Sequence, residues 1–341
     1  KRILKEGKLM RGIRGIFTFL IGGAVILTAY IYKKYNIVFS IHEIGDFATI
    51  FTSIILDALP FIIIGSLVSA FIQIFVSQEI IEKMIPRSSA LGYIGAGLIG
   101  LIFPVCECAI VPITRRLISK GVPVGLGVTF MLSVPIVNPV VIMSTYYAFY
   151  DHRSMVLVRT LGGFACAVII GIIMDMLCRD DRNIISGQAD FDNLCNCGCN
   201  TIITAGKSRI RSLIEHTNRE LLDITRYLIL GAFLSSIFQV VAAHKGFEFI
   251  SENKVLVIVF MMFLGFALSL CSEADAFVGK TFYSTYSFSS ITAFLLIGPM
   301  LDLKNLIMLS GGFNKEFVSK LSFVTLGIVF IVSCIFMMCG L

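Results

Sequence analysis

Residues 103–145 read FPVCECAIVPITRRLISKGVPVGLGVTFMLSVPIVNPVVIMST. Apolar residues dominate this stretch, yet Pro104, Cys106, Glu107, Cys108, Pro112, Pro135, Asn138 and Pro139 interrupt them. Proline removes a backbone donor and breaks the helical ladder. A carboxylate in hydrocarbon is costly unless it is paired, solvated or protonated. Irregular backbone at membrane depth persists only where protein buries it or a watery cavity wets it. The stretch therefore reads as a lined site inside a membrane protein, with the other segments arranged around it.

Composition agrees. The chain has 341 residues, 57% hydrophobic and 15% charged, with a mean hydropathy of +0.90. Soluble domains carry roughly a quarter charged residues, so the class is an integral membrane protein whose first partner is the lipid bilayer. The net charge of +6 comes from basic residues near span ends and does not point to nucleic acid. Neither a phosphate-binding loop nor an HExxH or CxxC pairing is present, so no enzyme class and no cofactor is indicated. The ten cysteines lie inside apolar runs or in one tight trio, which suits reduced thiols or metal binding better than a secreted disulfide framework.

A helix needs about 20 residues to cross hydrocarbon, and the chain offers seven such runs. They are residues 15–32, 47–76, 122–150, 155–177, 221–243, 289–309 and 321–339. Residues 90–118 and 255–280 read instead as broken, re-entrant hairpins. The expected fold is thus all-α and polytopic, with seven full spans and two hairpins. It divides into a basic N-terminal segment and first helix (1–46), a first membrane repeat (47–178), a polar loop (179–220) and a second membrane repeat (221–341).

The two halves resemble each other. Asp57, Gly65, Ser69 and Gln73 fall on Asp223, Gly231, Ser235 and Gln239. Cys106 falls on Cys271, and Phe130 through Pro135 and Asn138 falls on Phe294 through Pro299 and Asp302. The offset drifts only from 166 to 165 to 164. Lys and Arg collect on cytoplasmic loops. With the basic N-terminus cytoplasmic, a full crossing at 90–118 would strand Arg115, Arg116 and Lys120 outside, whereas a hairpin keeps them inside. Each repeat then has an odd number of crossings, so the repeats are inverted, a common transporter plan.

Cys106-Glu107-Cys108 places two soft thiols and a hard carboxylate at a proline-flanked turn, and thiolates bind soft metals and metalloids. Cysteine also packs as a small hydrophobe, but packing alone needs no carboxylate there. Its counterpart, Cys271-Ser272-Glu273-Ala274-Asp275, adds two acidic groups. Close carboxylates do not both ionise cheaply, which suits proton coupling. Asn138 and Asp302, each three residues after Pro135 or Pro299, mark discontinuous helices whose ends offer backbone groups to a substrate. Pro104, Pro112, Pro135, Pro139 and Pro299 are the expected helix breaks. Cys195, Cys197 and Cys199 form a CxCxC run able to grip a soft metal ion, or a redox-sensitive linker.

The Pro-x-Cys-x-Cys turn at 104–108, Lys120-Gly121-Val122-Pro123 and the Pro-x-x-Asn-Pro break at 135–139 resemble the predicted-permease family (DUF318-type) that includes the methylarsenite efflux permease. Cys271–Ala276 and Gly298–Asp302 are similar to that family too. The resemblance, over roughly residues 47 to 340, implies a plasma-membrane permease for a small solute, in some members a trivalent organoarsenical, and in others one subunit of a two-component permease. Glu107 departs from the small residue, such as Ser, expected in that turn, and its charge argues for a cation or a proton-coupled step. A membrane thiol-redox or sulfur-handling enzyme working through Cys106 and Cys108 is the alternative.

Overall fold

The structure is a computed structural model that describes residues 41–75, 90–101, 107–178, 184–185, 209–245, 253–283 and 285–339. The expected first span, Pro104, Cys106 and the Cys195–Cys199 run lie outside the described residues. The chain divides into two units, Lys1–Ala48 and Thr49–Leu341, and the site described below lies wholly in the second.

The described residues are almost all helical, with one isolated antiparallel bridge between Ile185 and Phe313. In order they form α1 (Ile41–Phe75), α2 (Ala90–Leu98) with a 3-10 turn to Leu101, and α3 (Glu107–Ser119). Next come α4 (Val124–Val137), α5 (Pro139–Ala148) and α6 (Ser154–Leu177). The second half holds α7 (Arg209–Lys245), α8 (Lys254–Leu268), α9 (Ser272–Phe282), α10 (Phe288–Met300), α11 (Leu303–Gly312) and α12 (Lys315–Met338). Four helical stretches among these are long and apolar enough to cross a membrane: Ile44–Ile72, Ser154–Leu177, Phe288–Gly312 and Lys315–Met338. The bent pair α4–α5, with a 41° angle at the break, makes a fifth. The expected span at 221–243 falls inside α7, whose apolar part is the shorter Ile224–Val240.

Local chemistry accounts for the ends. Gly121 follows α3 with φ of 97°, its N–H donating to Ile118 and that of Val122 to Leu117. This is the glycine-terminated helix end that a Cβ would strain. Asn253, Ser287 and Asp302 cap α8, α10 and α11 through their side chains. Asn138 caps α5 with Pro139 in the first turn, where proline's missing donor does no harm. The helices continue through Pro112, Pro135 and Pro299. The latter two sit in the last turn of α4 and α10, so the breaks fall just beyond them, at Asn138 and at Leu301–Asp302.

Helices α4 and α10 form the buried centre: every residue from Gly125 to Val137 and from Ser289 to Met300 is buried. Helix α4 packs on α2 and α6, and α10 on α8 and α12; α3 meets α11, and α9 meets α5. The outer helices leave large apolar side chains exposed, among them Leu56, Phe323 and Met338, as lipid contact requires.

The α4–α6 crossing is close because both helices present glycine there. A Cβ on Gly171 would lie 2.7 Å from the Gly125 carbonyl oxygen. Gly171→Ala is expected to lower the unfolding midpoint in detergent, at about 1–3 kcal/mol for overpacking. Gly95→Ala, whose Cβ meets nothing within 4 Å, should leave it unchanged or raise it.

Candidate functional site

The helix breaks bring together a buried cluster of three carboxylates, Glu107, Asp275 and Asp302, and two bases, Arg159 and Lys304. Glu107 opens α3, where a carboxylate interacts favourably with the helix dipole. Its Oε1 accepts from Lys304 Nζ at 3.1 Å, and its Oε2 accepts from Ser272 Oγ at 2.9 Å. Lys304 Nζ also lies 3.6 Å from Asp302 Oδ2. A single ammonium on α11 thus sits between a carboxylate of the first half and one of the second.

Ser269 holds the second break in shape. It is the one described non-glycine residue with positive φ, at 50°, a backbone state that costs free energy and persists only when its surroundings impose it. Its hydroxyl donates to Asp302 Oδ2 at 2.6 Å and accepts from the Lys304 N–H at 3.1 Å. Asp302 completes its own cap through the Asn305 N–H at 2.5 Å. The α8–α9 break and the α10–α11 break are therefore tied by one hydroxyl.

Arg159 lies in a π-helical turn of α6, Val158–Gly162, a local irregularity often found at functional sites. Its Nη1 donates to Thr145 Oγ1 at 2.8 Å and its Nη2 to the Ser272 carbonyl at 2.7 Å. Ser272 thus contributes its hydroxyl to Glu107 and its carbonyl to Arg159. Asp275 approaches Arg159 only to 4.0 Å. Gly298 of α10 lies against it, where a Cβ would stand 2.5 Å from Asp275 Oδ2.

Of the residues singled out from the sequence, Glu107, Asp275 and Asp302 join this cluster. Asn138 is buried, and its side chain is spent on the Val140 N–H at 2.9 Å. Cys271 stands at the start of α9, half-buried like Glu273. Cys108 packs into an apolar group with Ala58, Ile62, Leu228 and Met308. Neither thiol is in a disulfide. Among the described residues, no three His, Cys, Asp or Glu side chains gather as a metal site. Arg159, Lys304, Ser269, Ser272 and Thr145 were missed. The first two had a readable signal, since a lone basic residue inside an apolar run is itself a functional mark.

With this geometry, the chain is a multi-pass membrane protein whose polar groups are gathered inside the helix bundle. It belongs to the predicted-permease family ArsP_1, whose description matches residues 43–338. It is 41% identical to the UPF0718 protein YcgR of Bacillus subtilis (strain 168) over 272 residues, 79% of this chain and 90% of that protein. It is 36% identical over 290 residues to a putative two-component membrane permease complex subunit of Streptococcus mutans (serotype c, strain ATCC 700610 / UA159), 84% of this chain and 93% of that one. No solved structure matches the chain.

Removing one partner of a buried ion pair strands the other charge, at about 3–5 kcal/mol. Lys304→Met is expected to destabilise the protein on that scale in detergent unfolding. Adding Glu107→Gln should recover most of the loss; a double variant no better than the single one would show that the two charges are not coupled.

Proposed function

We propose that the protein carries a small solute through the membrane along a path between two inverted repeats, residues 47–178 and 221–341, at the buried charge cluster. The observation that carries this reading is the hydrogen bond between Glu107 and Ser272, residues 165 apart. The same offset relates Cys106 to Cys271 in the internal repeat. Equivalent residues of two related units touch each other only near the axis that relates them. On this reading the cluster lies where repeat-built transporters bind substrate and coupling ions, near the midplane.

In this reading the substrate is a soft metal or metalloid species or a related ion. Cys106, Cys108 and Cys271 supply soft ligands, and Glu107, Glu273 and Asp275 hold charge or protons. The breaks at Asn138 and Asp302 open the helices. Cys195, Cys197 and Cys199 capture soft metal from the loop at 179–220. The fold is completed by seven spans and two hairpins in the cell membrane, with a cytoplasmic N-terminus. Cysteines introduced at 115 and 209 are then expected to react with an impermeant thiol reagent from the same side; reaction from opposite sides would rule out the hairpin.

A second reading makes the chain one subunit of a two-component permease, as the name of its Streptococcus relative suggests. Vesicles containing the purified protein separate the two. Uptake of zinc, arsenite, methylarsenite or thiosulfate, measured with and without a proton gradient, is expected to be selective and to fall at least tenfold in C106S/C108S. If no solute moves, the single-chain reading fails, and co-purification of a membrane partner tests the two-component one.

A further inference from the structure

We infer that Asp275 is a binding site for one small monovalent cation, a proton or an alkali-metal ion, with Arg159 as its internal competitor. Every other charge in the cluster has a hydrogen bond of its own. Glu107 takes Ser272 and Lys304, Asp302 takes Ser269 and the Asn305 N–H, and Arg159 takes Thr145 and the Ser272 carbonyl. Asp275 is buried, at 1% exposure, and neither carboxylate oxygen has a hydrogen-bond partner among the described residues. A buried polar group without a partner is costly, and a charged one more so.

Charge defines what completes it. Three carboxylates face two bases, so the cluster at full ionisation carries one negative charge, which one monovalent cation cancels. Calcium and magnesium take about six or more oxygen ligands; Asp275 is a single carboxylate. Gly298 lets α10 pack directly against this carboxylate, where even a methyl group would clash with Oδ2.

The charged groups around Asp275 are Arg159, Glu107, Asp302 and Lys304, with Glu273 and the Cys271 thiol on its own helix. Helix α10, packed on α9, carries no titratable side chain, and α5 carries only Tyr146 and Tyr147. Arg159 is the near cation, its two terminal nitrogens hydrogen-bonded elsewhere, its Nε without a hydrogen-bond partner among the described residues, and its Nη2 4.0 Å from Asp275. A small shift of its guanidinium closes the pair once the ion leaves. The two halves of the chain, which contribute Arg159 and Asp275 respectively, are drawn together in the ion-free state and released in the ion-bound one. That this ion couples transport rests on the permease reading; the binding itself does not.

The test uses purified full-length protein in detergent, unfolded thermally at constant ionic strength. Ligands that bind the folded state raise its midpoint. One series lowers the pH, and a second replaces choline chloride with sodium chloride. The wild-type midpoint is expected to rise in one series, and Asp275→Asn is expected to lose that shift while Glu316→Gln, at the exposed start of α12, keeps it. A rise with acid identifies a proton, and a rise with sodium an alkali-metal ion. Equal shifts in wild type and D275N, or no rise in wild type, would overturn the inference. Should D275N not fold, difference infrared spectra of the wild type across each series decide. A change in a buried carboxyl band is expected, and its absence from both series would refute the site. A failure of vesicle transport would count against the permease reading and leave these binding readouts unaffected.

Discussion

The ion pair between Glu107 and Lys304 is the constraint on which the arrangement depends. Both groups are buried in an apolar bundle, where an isolated charge costs several kcal/mol even after relaxation. Neither is tolerable without the other, so the start of α3 and the start of α11 are obliged to meet. Since these elements come from opposite halves of the chain, the pair sets how the halves face each other at this point. Ser272 and Ser269 extend the constraint, one joining Glu107 to the Arg159 side, the other joining two breaks of the second half.

The broken helices follow from the same need. A continuous helix spends its backbone groups on itself and presents only side chains, whereas a break exposes helix ends that must be satisfied. Here the protein satisfies them with its own polar side chains: Asn138 caps α5 and Asp302 caps α11. The Ser269 hydroxyl, held in a left-handed turn, receives the Lys304 N–H. The prolines act indirectly. Pro135 and Pro299 weaken the last turn of the buried helices α4 and α10, and the capping residue three positions later begins the next helix.

Much of this was legible beforehand. The interrupted stretch at 103–145, the acidic groups at Glu107, Asp275 and Asp302, and the breaks beside Asn138 and Asp302 all stand out because polar and breaking residues are conspicuous in an apolar chain. Arg159 and Lys304 were equally conspicuous in principle, as single bases in runs otherwise fit to span a membrane. Hydropathy averaged over a span hides them, because it dilutes one charge among many apolar neighbours. Ser269 and Ser272 carried no such signal. Serine is common in membrane helices, and only its position shows that it ties the breaks together.

By itself the sequence determined the all-helical membrane class, the family and the breaks beside Asn138 and Asp302, though not the continuity of α3 through Pro112. These depend on local or averaged quantities: hydropathy, proline's missing donor and the spacing of motifs. The tertiary structure alone decided which charges meet. It paired Glu107 with Lys304, 197 residues away, packed Cys108 against apolar side chains beside that pair, and brought Asp275 beside an arginine whose terminal nitrogens hydrogen-bond elsewhere. Ion pairing acts over a few ångströms in space with no reference to separation along the chain, so no pattern of spacing specifies it. It is settled only when the packing of α4 and α10 brings the breaks of the two halves together.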